Sequence, residues 1–126
     1  MSVRTTIAEP IPESSTTYIS LTLTDIDGVT PLPNADAILT TLVVTLFNER
    51  TAAVVNSRTA QSVLGVNGGT VTSAGLVTLR LVPADTAIIG TKSEARVASF
   101  LWTWGSPVKT GRHEVAFTVA NLALVT

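Results

Sequence analysis

His113 is the only imidazole in the chain, and there is no cysteine, so acid-base or nucleophilic chemistry would have to centre on this ring. A hydrolytic triad would need a serine and a carboxylate to converge on it, and Ser99, Ser106 and Asp85 are the candidates. No Gly-x-Ser-x-Gly elbow accompanies them. The histidine begins the run His113-Glu-Val-Ala-Phe-Thr-Val119, whose alternation is that of a strand. A structural or rim position is therefore expected, with a neutral, hydrogen-bonded ring if it is buried. The hydrolase reading rests on His113 alone.

Asp25-Ile-Asp-Gly28 places two hard oxygen ligands two residues apart, as a calcium loop does. The third acidic position and the bidentate glutamate of an EF-hand are missing, which leaves an Asp-Gly turn. Asn67-Gly-Gly-Thr70 lacks the lysine and serine of a phosphate-binding loop and reads as a turn that tolerates positive φ. Trp102 and Trp104 would form a stacking platform for a sugar or base if exposed. Nine acidic residues scattered through turns form no pair for glycoside cleavage. No catalytic, cofactor-binding or metal-ligating residue is assigned, and no cofactor or small-molecule substrate is expected.

These residues need a frame to hold them. The frame is organised around Phe100-Leu-Trp-Thr-Trp104 and residues 113 to 119, which carry both tryptophans, two of the three phenylalanines and the histidine. The aromatic residues alternate as on one face of an antiparallel hairpin. Pairing Trp104 with His113 across a loop of residues 105 to 112 sets Trp102 opposite Val115 and Phe100 opposite Phe117. The other face carries Ser99, Leu101, Thr103, Ala116 and Thr118, so the aromatic face is the expected core.

Ile19, Leu21 and Leu23 alternate with Ser20, Thr22 and Thr24, predicting a half-buried strand over 17 to 24. Residues 37 to 47 fit both periods, with Asp36 as a possible helix cap; threonine and valine between Thr40 and Thr45 favour a strand. The weak pattern over 52 to 66 predicts short or edge strands, and residues 76 to 82 alternate again. Pro83 to Gly90 suits one helical turn crossing between sheets, and 91 to 94 read as exposed. Residues 1 to 15, with Pro10 and Pro12, form an extended arm that either frays or docks on a neighbouring subunit.

The chain has 126 residues, a net charge of −1, 45% hydrophobic and only 13% charged residues. The length suits one domain. No window collects basic side chains, which argues against nucleic acid or anionic membrane as partner. No apolar run approaches the roughly 18 residues that cross a bilayer, and no signal-peptide core opens the sequence; synthesis in the cytoplasm is expected. Short strands with turns every 8 to 12 residues predict an all-β fold, a single antiparallel sandwich of about seven strands over 16 to 126, with a small β-barrel as the alternative.

Leu79-Arg-Leu-Val-Pro-Ala-Asp85, Phe100-x-Trp-x-Trp104 and His113-Glu-Val-x-Phe-x-Val-x-Asn-Leu122 resemble the small immunoglobulin-like β-sandwich proteins of tailed-bacteriophage virions. The similarity spans about residues 76 to 122. Unlike antibody-type sandwiches, the chain has no cysteine pair and no tyrosine corner, Tyr18 lying far from the relevant strand. The resemblance implies an immunoglobulin-like sandwich and a non-enzymatic structural subunit of the head, neck, tail or capsid decoration, located in the virion. Its expected partners are further copies of itself and other virion proteins. Surplus apolar surface on strand faces such as 37 to 47 agrees with assembly. The competing reading is a carbohydrate- or ligand-binding module with loop aromatics as platform.

Overall fold

Residues 4 to 88 and 92 to 120 are described in the computed structural model. The first three residues of the arm, Ile89 and Gly90 at the end of the expected helical turn, Thr91, and Asn121 and Leu122 of the phage-like stretch lie outside them.

Alternating apolar and hydroxyl side chains produce the strands β3 (Thr17–Thr22) and β7 (Leu76–Leu81). With β6 (Gly69–Val71) between residues 65 and 75, they form a three-stranded antiparallel sheet in the order β3-β7-β6. The second sheet holds the long strands β4 (Leu39–Asn48), β8 (Glu94–Trp104) and β9 (Lys109–Ala120), with the two-residue β5 (Gln61–Ser62) on the β4 edge. The two sheets are open and do not close into a barrel. The orders β9-β8-β4 and β3-β7-β6 make up an all-β sandwich.

Over its described length the arm is paired with its own chain. β1 (Arg4–Thr6) and β2 (Ile11–Pro12) run along β9 of the same chain, in parallel, so the sandwich is not wholly antiparallel. Pro12 is tolerated because it sits on an edge, where its missing N–H breaks no central ladder. Ile11 reaches the core.

Inner faces of both sheets meet in one cluster. Ile19, Leu21, Val77 and Leu79 come from the smaller sheet; Leu42, Val44, Phe100, Trp102, Val115 and Phe117 come from the larger. The strand expected within residues 37 to 47 begins at Leu39, and its period-2 burial holds from Thr41 onward, after a bulge between Leu39 and Thr41. Before the strand, residues 35 to 38 close one helical turn, α1 (Ala35–Ile38), whose N-cap is Asn34 in the left-handed region rather than Asp36. Ala35 is buried there, and four residues are too few to propagate a helix.

The expected hairpin register is corrected by four residues. Phe100 pairs with His113, Trp102 with Gly111 and Trp104 with Lys109, so the loop is Gly105 to Val108. A shift by an even number keeps every aromatic residue on its face. Two causes favour the shorter loop. It adds residues 109 to 112 to the ladder, and it sets a glycine under the indole: a Cβ on Gly111 would lie 2.3 Å from Trp102 Cε2.

The expected turn after β7 is a 3₁₀ turn, Pro83–Asp85, between one sheet and the other. Beyond the described gap, Lys92 and Ser93 are exposed as expected, while Glu94 already belongs to β8.

Candidate functional site

The aromatic hairpin is core. Phe100, Trp102 and Trp104 are buried, with exposures of 0%, 1% and 5%. This removes the tryptophan platform on which the carbohydrate-binding reading was based. His113 lies at the rim of the same face, where it is half-buried. Its Nε2 meets Thr5 Oγ1 at 2.8 Å. The three residues considered as triad partners do not gather at the ring. Ser99 pairs with Glu114 and therefore faces the other side of the sheet, Ser106 lies in the β8–β9 turn, and the Asp85 carboxylate is bound by Arg58.

Burial holds the His113 ring below its ordinary pKa of 6.5, and Glu114 opposes the shift. The ring is neutral in both folded and unfolded chains above that value. As pH falls through about 6.5, the unfolded chain takes up the proton first, so stability declines until pH passes the lower folded value. Thermal melts across this range should show a shallower acid loss for His113→Asn than for the wild type. Superimposable pH profiles would refute this role.

In Asp25-Ile-Asp-Gly28 the carboxylates serve their own turn. Asp25 Oδ1 accepts from Ile26 N at 2.7 Å, and Asp27 Oδ1 accepts from the backbone N–H groups of Val29 and Thr30 at 2.9 and 2.8 Å. The Thr30 hydroxyl donates to Asp27 Oδ2. The Thr30 hydroxyl first, then these amides, hold Asp27 below its ordinary pKa. Among the described residues no group of three or more histidine, cysteine or acidic side chains could hold a metal ion.

A buried polar hub escaped sequence reasoning. Asp85 is fully buried in the 3₁₀ turn, and Arg58, from the segment between β4 and β5, is 5% exposed. Arg58 grips both carboxylate oxygens, Nε to Oδ1 at 2.7 Å and Nη2 to Oδ2 at 2.9 Å. Asn56 Nδ2 and the Val82 N–H complete the shell at 2.9 and 2.8 Å. Burial would raise the Asp85 pKa, but Arg58, Asn56 and the Val82 N–H together hold it below the ordinary value. From β8, Arg96 is inserted into the core face and donates to the carbonyls of Asp85 and Ala87. The Thr86 carbonyl accepts from Ser14 N–H, and the Thr86 hydroxyl accepts from Ser15 N–H and donates to the Ser15 carbonyl, anchoring the arm where it leaves β9 for β3. The cluster ties four segments together. The sequence signal was parity: Arg96 shares the face of Ala98 and Phe100.

The loops differ in character between the two ends of the sandwich. β3 finishes, β4 and β7 begin, and β8 turns into β9 at one end. This end carries Ile26 and Val29, each 74% exposed, Val108 at 68%, and Ile38 and Leu76 at 39% and 42%. On the outward face of the larger sheet, Val43 is in register with Leu101, and Phe47 with Val97. That face is bounded by Arg4, which bridges Glu49 and Glu114 at 2.7 and 2.8 Å.

Comparison with protein-family models, with curated proteins and with solved structures finds no match to this chain. The fold and site define an open, two-sheet all-β sandwich with an apolar loop end. No helix among the described residues is long and apolar enough to cross a membrane.

Proposed function

We propose that the chain is a non-enzymatic structural subunit of a phage virion, in the head, neck, tail or capsid decoration, that assembles with copies of itself and with other virion proteins. The observation that carries this reading is the loop end bearing Ile26, Val29 and Val108, three large apolar side chains more than two-thirds exposed. Apolar surface concentrated in this way commonly marks a protein-protein contact. The resemblance of residues 79 to 85, 100 to 104 and 113 to 122 to phage virion sandwiches supplies the virion context. The low share of charged residues, 13%, fits a surface that is covered in an assembly.

Sedimentation and electron microscopy of the purified protein test the reading. The wild type should form a homo-oligomer, seen as rings, tubes or defined particles. Ile26→Ser/Val29→Ser/Val108→Ser should shift it to monomer with an unchanged melting temperature, because these side chains lie outside the core. A strictly monomeric, highly soluble wild type would overturn the proposal.

A further inference from the structure

Away from the apolar loop end the surface is indented. Two adjoining recesses, of about 350 and 410 Å³, share Asn67, Gly68 and Arg80. One continues to Asn56, Arg58 and Gln61, and the other to Tyr18 and the loop from Gly65 to Thr70. The first has amide and guanidinium groups along its wall, and the second presents an aromatic ring. We infer that this groove binds a saccharide bearing a carboxylate.

Charge is the first argument. Arg80 forms no ion pair among the described residues; the arginines that do are Arg4, Arg58 and Arg96. Arg58 also lines the groove, but Asp85 neutralises it from the core side. No acidic residue lines either recess. The groove therefore has one uncompensated guanidinium on a chain whose net charge is −1. A guanidinium fork matches a carboxylate in both shape and charge.

Preorganisation is the second. Each amide is fixed by one internal bond and leaves its complementary atoms for a ligand. Gln61 Oε1 accepts from Arg58 Nη1 at 2.8 Å, which leaves Nε2 as donor. Asn67 Nδ2 donates to the Ser62 carbonyl at 2.8 Å and leaves Oδ1 as acceptor, and Asn56 is held likewise by Asp85. Side chains already ordered lose little entropy on binding, and fixed donors and acceptors of both kinds suit vicinal hydroxyls.

Tyr18 supplies the third. It is 64% exposed and directly opposite Arg80 across the β3–β7 ladder, so ring and guanidinium share one outward face. The ring can lie against the C–H face of a sugar while its hydroxyl stays in water. On the other side of Arg80 the loop comes close because Gly68 has no side chain: a Cβ there would be 3.0 Å from the Arg80 carbonyl oxygen. A single free arginine, with no basic stripe beyond it, does not make a nucleic-acid track. The groove also lies away from the apolar loop end, so it stays open whether or not that end assembles, and its test is independent of the oligomeric state.

NMR titration of the full chain with a galacturonate trisaccharide is the experiment, with a neutral galactose trisaccharide, inorganic phosphate and a short oligothymidylate as comparison probes. The galacturonate should shift the side-chain amides of Gln61 and Asn67 and the backbone of residues 65 to 70. Arg80→Ala should weaken binding on the order of tenfold, as loss of a hydrogen bond to a charged group does. Tyr18→Ala should weaken it as well, and both variants, at exposed positions, should melt with the wild type. Equal binding of the neutral sugar, equal shifts with phosphate, tighter binding of the oligothymidylate, an unaffected Arg80→Ala, or no shift with galacturonate would each overturn the assignment.

Discussion

Asp85→Ala is expected to reduce the free energy of unfolding by about 3 to 5 kcal/mol, the usual cost of removing one partner of a buried ion pair. The substitution leaves Arg58 almost wholly buried with its charge uncompensated and removes the acceptor of the Val82 N–H and of the Asn56 amide. Denaturant unfolding monitored by tryptophan fluorescence measures it. The joint replacement Arg58→Met/Asp85→Leu should recover most of the loss, because both charges then leave the core together. If the single variant lost under about 1 kcal/mol, the pair would be behaving as a surface bridge and the burial argument would fail. Acid carries the same information. The folded Asp85 titrates below its ordinary value of 3.8, so its contribution is complete at neutral pH and is lost as pH falls below about 4. Asp85→Asn should flatten that acid limb.

Trp102→Ala should cost about 3 to 5 kcal/mol and leave a chain at the edge of folding. The indole is the largest fully buried side chain and lies between the sheets over Gly111. Gly111→Ala attacks the same contact from the other side, since its Cβ would fall 2.3 to 2.5 Å from three indole atoms, and about 3 kcal/mol or more is expected. The two changes should not add. With alanine at position 102 the clash at 111 disappears, so the double variant should be no less stable than Trp102→Ala alone. Additive losses in the double-mutant cycle would show that the indole and Gly111 do not share that space. In the wild type, emission should be blue-shifted and resistant to quenchers, both tryptophans being buried.

Which side of the β8–β9 hairpin faces the core was legible in the sequence, because side chains alternate strictly along a strand and only one face could carry Phe100, Trp102, Trp104, Val115 and Phe117. The same alternation identified β3 and β7, and absent spacings argued against an EF-hand or a phosphate loop. The virion reading drew on motif resemblance and remains a proposal, independent of the packing. Arg96 has the parity of Ala98 and Phe100, a signal that the sequence reading did not use, and what it would meet is not encoded in that parity.

Tertiary structure decided whatever depends on distance between segments far apart in the chain. The hairpin register turned on Gly111 fitting under Trp102, a steric condition that alternation cannot sense because a four-residue slip preserves every face. The arm lies along β9 because that edge was open and Ile11 could enter the core. Arg58 and Asp85 are 27 residues apart, and only closure of the two sheets brings them within 2.7 Å. His113, the one residue from which chemistry could have been argued, met a threonine of the arm at the rim of the core. Composition and alternation thus set the fold class and the buried face, since both follow from local backbone geometry. Register, the polar hub and the two unlike ends of the sandwich follow from which surfaces come into contact, which no local pattern encodes.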